Sequence, residues 1–227
     1  MQLELEEMYS KYNKWEPIKS YLKNILEGQK YTQEEFNILV HMMVAKRQPI
    51  EALVGIYGED ILPTIDSLIN SNCLYYKDGI VITVLDLPKD LQEELNTFQY
   101  PLPNLEKPVF TNNSDSGYLT WKKNIILNQE HSKGEYCLDI INRVSQVPLS
   151  VNTDILDIPF NWKGEKSFIS KLKRSIDLML FNNNKFYICH SYDSRGRIYA
   201  NGYHINYQGI DYQKALVQFA NKEKVTS

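Results

Sequence analysis

The chain has 227 residues, 43% of them hydrophobic and 23% charged, with a formal net charge of −3. This balance is ordinary for a globular protein, and the sequence contains no run of about 18 apolar residues that could span a membrane. The acidic start of the chain lacks the apolar core of a signal peptide. The three cysteines, Cys73, Cys137 and Cys189, form no CxxC pair, so we expect reduced cysteines and a cytoplasmic location.

The net charge hides an asymmetry along the chain. Residues 1–106 hold 9 Lys/Arg and 17 Asp/Glu, a balance of −8, whereas residues 107–227 hold 16 and 11, a balance of +5. A basic surface can lie along a phosphate backbone because its cations release condensed counterions, although a mild excess can also be a solvated surface. We therefore expect an acidic lobe, 1–106, and a basic lobe, 107–227.

Helical patterns begin the acidic lobe. Apolar spacing predicts a helix over 3–27 that Pro17 interrupts, and Thr32 with Glu35 forms a capping box that opens a second helix, to about Lys46. Two shorter helices, 49–57 and 60–71, follow on either side of Gly58.

A β-hairpin is predicted next, because Asp78-Gly79 lies between two runs rich in β-branched and aromatic residues. Two helices and a hairpin in this order, over 49–84, resemble a winged helix. Leu87–Phe98 reads as a further helix, and the prolines of 101–108 with the polar stretch 111–117 predict a linker and a boundary near residue 106.

The basic lobe mixes both kinds of element. We expect an extended Tyr118–Leu127, a helix over Glu135–Val147, a basic amphipathic helix over Lys166–Phe181 and a short buried strand, Phe186–His190. The whole chain is therefore predicted to be α+β and mostly helical.

The most informative stretch, residues 193–199, follows the buried strand directly and reads Asp-Ser-Arg-Gly-Arg-Ile-Tyr. Gly196 permits a close approach of backbone and ligand, and the planar forks of Arg195 and Arg197 suit bidentate contacts with phosphate. Tyr199 offers a face for stacking and a hydroxyl for hydrogen bonding. Asp193 suits orienting an arginine or capping a turn, and a plain surface turn with an Asp–Arg pair is the alternative.

This stretch resembles the single-subunit RNA polymerases of phages and mitochondria. Their motif, D-[W/F]-R-G-R-x-Y, matches Asp193, Arg195, Gly196, Arg197 and Tyr199. The family's Asn-x-x-Gly-x-Asp segment and the helix after it match a second set, Asn206, Gln208, Gly209, Asp211 and Lys214. Weaker similarities lie at Lys107-Pro108, Gly117-Tyr118, Ile141-Asn142, Gln146 and Val151-Asn152, so the resemblance covers residues 107–227.

The resemblance implies a fold and a set of roles. The chain would hold an amino-terminal-domain remnant and the thumb and palm side of a right-hand polymerase core. Arg195 and Arg197 would hold template phosphates, with Gly196 allowing close approach, and Tyr199 would pack against the template or the RNA–DNA hybrid. Lys214 would lie near the nucleic-acid channel. The motif would be braced by Asp193, Gln208 and Asp211.

The family's two catalytic aspartates, which hold two Mg²⁺ ions, follow later motifs that this sequence lacks. We therefore expect no catalytic and no metal-binding residue here. A second polymerase subunit would supply palm, fingers and Mg²⁺, and the pair would use a DNA template and nucleoside triphosphates to make RNA. The start at Met1 and the end at Ser227 favour a natural split of a phage polymerase, acting in the bacterial host cytoplasm, over a truncation. A short amino-terminal region predicts weak promoter recognition and a helper protein.

Two other functions stay open. A DNA-binding regulator could use the winged-helix-like segment, but its recognition helix would be 60–71, which carries Asp60 and Asp66 beside Glu59 and has no Lys or Arg. A non-catalytic scaffold could retain the polymerase motif. The spacing of Cys189, His190 and His204 fits no common set of metal ligands.

Overall fold

The structure, a computed structural model, describes residues 1–127, 135–158 and 163–221. Helices hold 46% of the residues and strands 14%, so the predicted mixture of α and β, with more helix than strand, is confirmed. No helix in these ranges is long and apolar enough to cross a membrane. The chain forms two compact units, which we call the inserted unit, Lys14–Gln92, and the main unit, Met1–Asn13 with Glu93–Ser227.

This division differs from the boundary near residue 106 that the sequence predicts, because the proline-rich stretch is packed within the main unit. Asn104 exchanges two backbone hydrogen bonds with Tyr187, at 2.8 and 2.7 Å, and its Nδ2 donates to the carbonyl of Gly117 at 2.6 Å. Proline excludes residues 101–108 from helices and from strand interiors, but it does not prevent packing.

The inserted unit contains helices followed by a hairpin. Trp15, at φ 55°, breaks the predicted first helix just before Pro17, and the capping box of Thr32 and Glu35 is confirmed. Asp78 and Gly79 both have positive φ, as the predicted hairpin turn requires. The elements are α2 (Glu16–Ile25), α3 (Gln33–Ala45), β1 (Arg47–Pro49), α4 (Ile50–Tyr57), a 3-10 turn (Glu59–Ile61), α5 (Leu62–Asn70), β2 (Leu74–Lys77) and β3 (Ile80–Thr83).

The sheet of the inserted unit has the order β1-β3-β2, with both pairs antiparallel. Its strand β1 was not predicted from the sequence, since it has three residues and no alternating pattern. The helices α4 and α5 are followed by the hairpin of β2 and β3, which is the order of elements that the sequence predicts over 49–84. The core below the sheet consists of fully buried aliphatic side chains, including Ile38, Leu39, Met42, Met43, Leu53, Ile65, Leu68 and Val81.

The main unit carries the candidate site. Tyr118–Leu127 is not a strand but a series of bends, and the predicted strand 186–190 is buried yet becomes regular only at His190. The helix α6 (Lys89–Phe98) begins in the inserted unit, which ends at Gln92, and continues into the main unit. The other elements are α1 (Gln2–Asn13), α7 (Leu138–Ser145), β4 (Leu149–Val151), a 3-10 turn (Thr153–Ile155), α8 (Lys163–Phe181), β5 (His190–Tyr192), β6 (Ile198–Ala200), α9 (Asp211–Leu216) and β7 (Val217–Phe219).

The apolar face of α8 forms the centre of the main unit. Leu172 and Ile176, which the sequence places on that face, are buried, and they pack with side chains from β4, α9 and the segment that precedes β5. A neighbouring cluster joins α7 to Tyr192 at the end of β5. The strand β5 therefore lies between two apolar clusters, and the turn that follows it starts from a fixed position.

The amino-terminal helix α1 is held in the main unit by a buried carboxylate. Glu6 accepts hydrogen bonds from the backbone N–H groups of Leu119 and Thr120, at 2.9 and 2.7 Å, and from the Thr120 hydroxyl at 2.8 Å. Gln2 completes the contact, since its Oε1 accepts from the Leu105 N–H at 2.7 Å. Glu6 is itself buried, at 3% exposure, so its carboxylate relies on these hydrogen bonds in place of water.

We predict that Glu6→Gln lowers the free energy of unfolding by about 1–3 kcal/mol, because an amide cannot accept all of these hydrogen bonds. Urea denaturation measures the change. Glu7→Gln is the matched control, since Glu7 lies on the exposed face of the same helix. Equal unfolding midpoints for the two variants would show that Glu6 does not anchor α1.

Candidate nucleic-acid interface

The motif predicted from the sequence forms the turn of a β-hairpin. β5 and β6 are antiparallel, with Tyr192 opposite Ile198, and the turn between them is closed by a hydrogen bond from the Asp193 N–H to the Arg197 carbonyl at 3.0 Å. Gly196 has φ +80°, a conformation that glycine adopts without strain, and its N–H donates to the Asp193 carbonyl at 2.9 Å. The turn places the four motif side chains, those of Asp193, Arg195, Arg197 and Tyr199, within one small region.

The carboxylate of Asp193 is the centre of this turn. Its Oδ1 accepts from the backbone N–H groups of Arg195 and Arg197, at 2.9 and 3.0 Å. Its Oδ2 accepts from Nε and Nη2 of Arg197, both at 2.8 Å, and from the Tyr199 hydroxyl at 3.2 Å. The Nη2 of Arg195 lies 3.4 Å from the same oxygen. One carboxylate therefore holds both the backbone of the turn and its side chains.

The charged groups of the turn stabilise one another in their ionised forms. Hydrogen bonds from the backbone and the guanidinium of Arg197 hold the pKa of Asp193 below its ordinary value, and Asp193 in turn raises the pKa of Arg197. The side chains of Arg195 and Arg197 are 71% and 55% exposed, whereas that of Asp193 is 16% exposed. Two guanidiniums thus face solvent, with a shared carboxylate behind them.

Tyr199 contributes to the same surface from β6. Its ring centroid lies 5.8 Å from the guanidinium carbon of Arg197, within the range of a cation–π contact. The side chain is half-buried, so part of the ring stays available. The surface of the turn therefore combines donors that suit phosphate with one aromatic face.

The side chain of Gln208 stabilises the hairpin through hydrogen bonds to β6. Its Nε2 donates to the Ile198 carbonyl at 3.1 Å, and its Oε1 accepts from the Ala200 N–H at 2.8 Å. The side-chain amide thus pairs with β6 as a neighbouring strand would. Asn206 fixes the loop, since its Oδ1 accepts from the Gln208 N–H at 2.8 Å. The sequence places Gln208 among the bracing residues, and the structure puts it in contact with the backbone of the motif.

Asp211 and Lys214 form a separate pair on α9. Their Oδ1 and Nζ atoms lie 3.1 Å apart, and the side chains are 95% and 55% exposed. Asp211 therefore contacts Lys214, while the turn is held by Asp193 and Gln208. The exposed ion pair is also weak, since such pairs contribute little in water.

Other amide side chains of the main unit repeat the arrangement of Gln208, and sequence reasoning assigned them no such partners. Asn142 accepts from the Phe110 N–H at 2.9 Å and donates to the Phe110 carbonyl at 2.8 Å. Asn184 does the same with Val151, at 2.7 and 3.0 Å. Each amide side chain therefore pairs with a backbone segment that lies far from it in sequence.

A buried histidine lies at the start of β5. The Nδ1 of His190 is 2.9 Å from the Ser145 hydroxyl, and its Nε2 is 2.6 Å from the Tyr207 hydroxyl. Burial lowers the pKa of His190 to about 4, so the ring is neutral near pH 7. Across the three described ranges, no group of at least three His, Cys, Asp or Glu side chains is placed to hold a metal ion. His190 thus joins α7 to the loop after β6 by hydrogen bonds.

The sequence was also compared with known proteins. No protein-family model matches the chain, and no curated protein matches it significantly.

Proposed function

We propose that this chain is a subunit of a DNA-directed RNA polymerase of the single-subunit type, and that it holds the template strand beside an active site completed by a second subunit. One observation carries this proposal: Arg195 and Arg197 are exposed on a hairpin turn, and Asp193 fixes both of them. The sequence of this turn is also the part that resembles the polymerase family most closely.

The geometry suits contact with a nucleic-acid backbone. Arginine presents a planar set of donors that matches two phosphate oxygens, and the bond to Asp193 fixes the direction of the Arg197 fork before binding. Less side-chain freedom is then lost when the phosphate arrives. Contacts of this kind set the position of the strand without reading its bases, as an enzyme that moves along any template requires.

The two Mg²⁺ ions of such an enzyme would activate and orient the reacting groups in nucleotide addition. In this proposal, the second subunit supplies the catalytic aspartates, the fingers and the nucleoside triphosphate site. The role of this chain is to bind and orient the template and the RNA–DNA hybrid.

The test is reconstitution with the product of the neighbouring gene. Each chain is assayed alone and together for RNA synthesis on pre-melted DNA with Mg²⁺ and nucleoside triphosphates. We expect a stable complex and RNA only from the mixture. A folded chain that forms no complex and supports no RNA synthesis would contradict the proposal. Adding a duplex promoter to the active mixture then measures whether a helper protein is needed.

A DNA-binding regulator is the second candidate, because the order of α4, α5 and the hairpin in the inserted unit resembles a winged helix. The helix that would enter the major groove, α5, exposes Pro63, Asp66 and Asn70, and Glu59 and Asp60 precede it. A groove-binding helix normally has basic neighbours for the phosphates, so this surface would repel duplex DNA. Tight binding of duplex DNA by the chain alone, unaffected by changes at Arg197, would favour the regulator.

A further inference from the structure

An apolar cavity of about 360 Å³ opens beside the 193–197 turn. The turn forms one wall through Ser194 and Gly196, and the start of α7 forms the other through Cys137 and Ile140. The exposed ring of Tyr136 lies at the rim. This volume falls in the range of about 300–1,000 Å³ that is typical of small-molecule sites.

The floor of the cavity belongs to the rigid core of the main unit. Ile126, Ile141 and Tyr192 line it and are buried. The Tyr192 hydroxyl donates to the Tyr136 carbonyl at 2.6 Å, and the Tyr192 N–H donates to the Ile125 carbonyl at 2.8 Å. The cavity is therefore formed without a ligand, and a ligand need not create it.

The cavity lining and the neighbouring arginines suit two different chemical groups. Isoleucine and tyrosine side chains suit a flat apolar ring, whereas the polar lining is limited to a few residues, chiefly Asp193 and Ser194. The guanidiniums of Arg195 and Arg197 lie on the same turn and suit a phosphate. A flat base linked through a sugar to a phosphate is the repeating unit of a nucleic acid.

We infer that this cavity receives one unstacked base of a single-stranded nucleic acid whose backbone phosphate lies on Arg195 and Arg197. The inference rests on the proposed function and adds a base-binding subsite to it. A paired base stays in its stack, so the ligand is a single strand rather than a duplex.

Ser194 is the residue that keeps the cavity open on the side of the turn. It is exposed, and its small side chain leaves the space that a larger one would fill. The family pattern D-[W/F]-R-G-R-x-Y has an aromatic residue at this position.

The test compares Ser194→Phe with Ser20→Phe in the full chain, because Ser20 is exposed on α2 and does not line the cavity. A fluorescent single-stranded deoxythymidine oligonucleotide is titrated at low salt, and a second oligonucleotide carries abasic sites in place of its bases. We expect Ser194→Phe to weaken binding of the first oligonucleotide by about 5-fold or more, the usual worth of one stacked base. Ser20→Phe should bind as the wild type does, and neither substitution should change binding of the abasic strand.

A second readout uses the thiol of Cys137, the exposed one of the chain's three cysteines. Because Cys137 lines the cavity, a bound base should slow its modification by a maleimide. We expect protection by the single strand and none by the abasic strand or by free thymidine monophosphate at the same concentration. Thermal unfolding of the Ser194→Phe chain tests whether the substitution leaves the fold intact.

The outcomes separate the subsite from the proposed function. Binding that needs Arg197 but ignores Ser194→Phe and the loss of bases would overturn the base subsite and keep the template contact. Single-strand binding that Arg197→Ala leaves unchanged, or no binding by the wild type, would overturn the proposed function and the subsite together. Protection of Cys137 by free thymidine monophosphate would assign the cavity to a mononucleotide and overturn the strand-binding role.

Discussion

Arg197→Ala should lower RNA synthesis by the reconstituted polymerase by about 10- to 100-fold, since a small misplacement of the template is enough for a loss of that size. Arg197 combines an exposed guanidinium with a fixed direction, because Asp193 accepts from its Nε and Nη2 at 2.8 Å. Removing one phosphate contact should also lower the slope of log binding constant against log salt by about 1. RNA yield on pre-melted DNA and single-strand binding at several salt concentrations measure the two effects.

Two control variants separate charge from geometry. Arg197→Lys keeps the positive charge but cannot make the two-atom contact with Asp193, so the salt slope should stay near the wild-type value while RNA synthesis falls. Lys185→Ala removes an exposed cation from the main unit outside the motif and should leave both measurements unchanged. An equal loss of RNA synthesis in the Lys185 variant would mean that only net charge matters.

Asp193→Asn should lower RNA synthesis by about 10-fold or more without weakening single-strand binding at low salt, because it disturbs orientation while removing a negative charge. The asparagine oxygen can still accept from the backbone of the turn, but its NH₂ group cannot accept from Arg197 or Tyr199. The lowered pKa of Asp193 means that the wild-type carboxylate is ionised throughout the neutral range. The opposite responses of binding and synthesis distinguish a positioning residue from one that touches nucleic acid.

Asp211→Asn is the matched control for this change. It also removes one carboxylate that pairs with a cation, but it does so on α9 rather than at the turn. A double-mutant cycle adds a further check, since Asp193→Asn should cost less in the Arg197→Ala background, where its main partner is gone. Identical behaviour of the two asparagine variants would remove the bracing role of Asp193.

Local hydrogen-bond chemistry made part of this fold predictable. Thr32 and Glu35 specify a helix start within four residues, and Asp78-Gly79 specifies a tight turn within two. The turn at 193–197 belongs to the same class, because its motif residues are neighbours in sequence. The local sequence is therefore sufficient to predict that Arg195 and Arg197 lie close together.

Features that depend on distant partners were not predictable in this way. The three-residue strand β1 exists because Gln48 pairs with Val81, and no local pattern marks it. The cavity needs the start of α7 and the 193–197 turn to lie side by side, which only the packed core determines. The packing of the proline-rich stretch near residue 106 also depends on residues that are distant in sequence, whereas its composition alone predicts a linker.

The position of α1 has a consequence for the order in which the chain is made. Glu6 leaves the ribosome early, but Leu119 and Thr120, which bind it, follow 113 and 114 residues later. The inserted unit, Lys14–Gln92, is one continuous stretch and can fold in the interval. The helix α1 therefore lacks these hydrogen-bond partners until residue 120 has been synthesised. Slowing translation between residues 92 and 120 would lengthen the time for which α1 is exposed to chaperones and proteases.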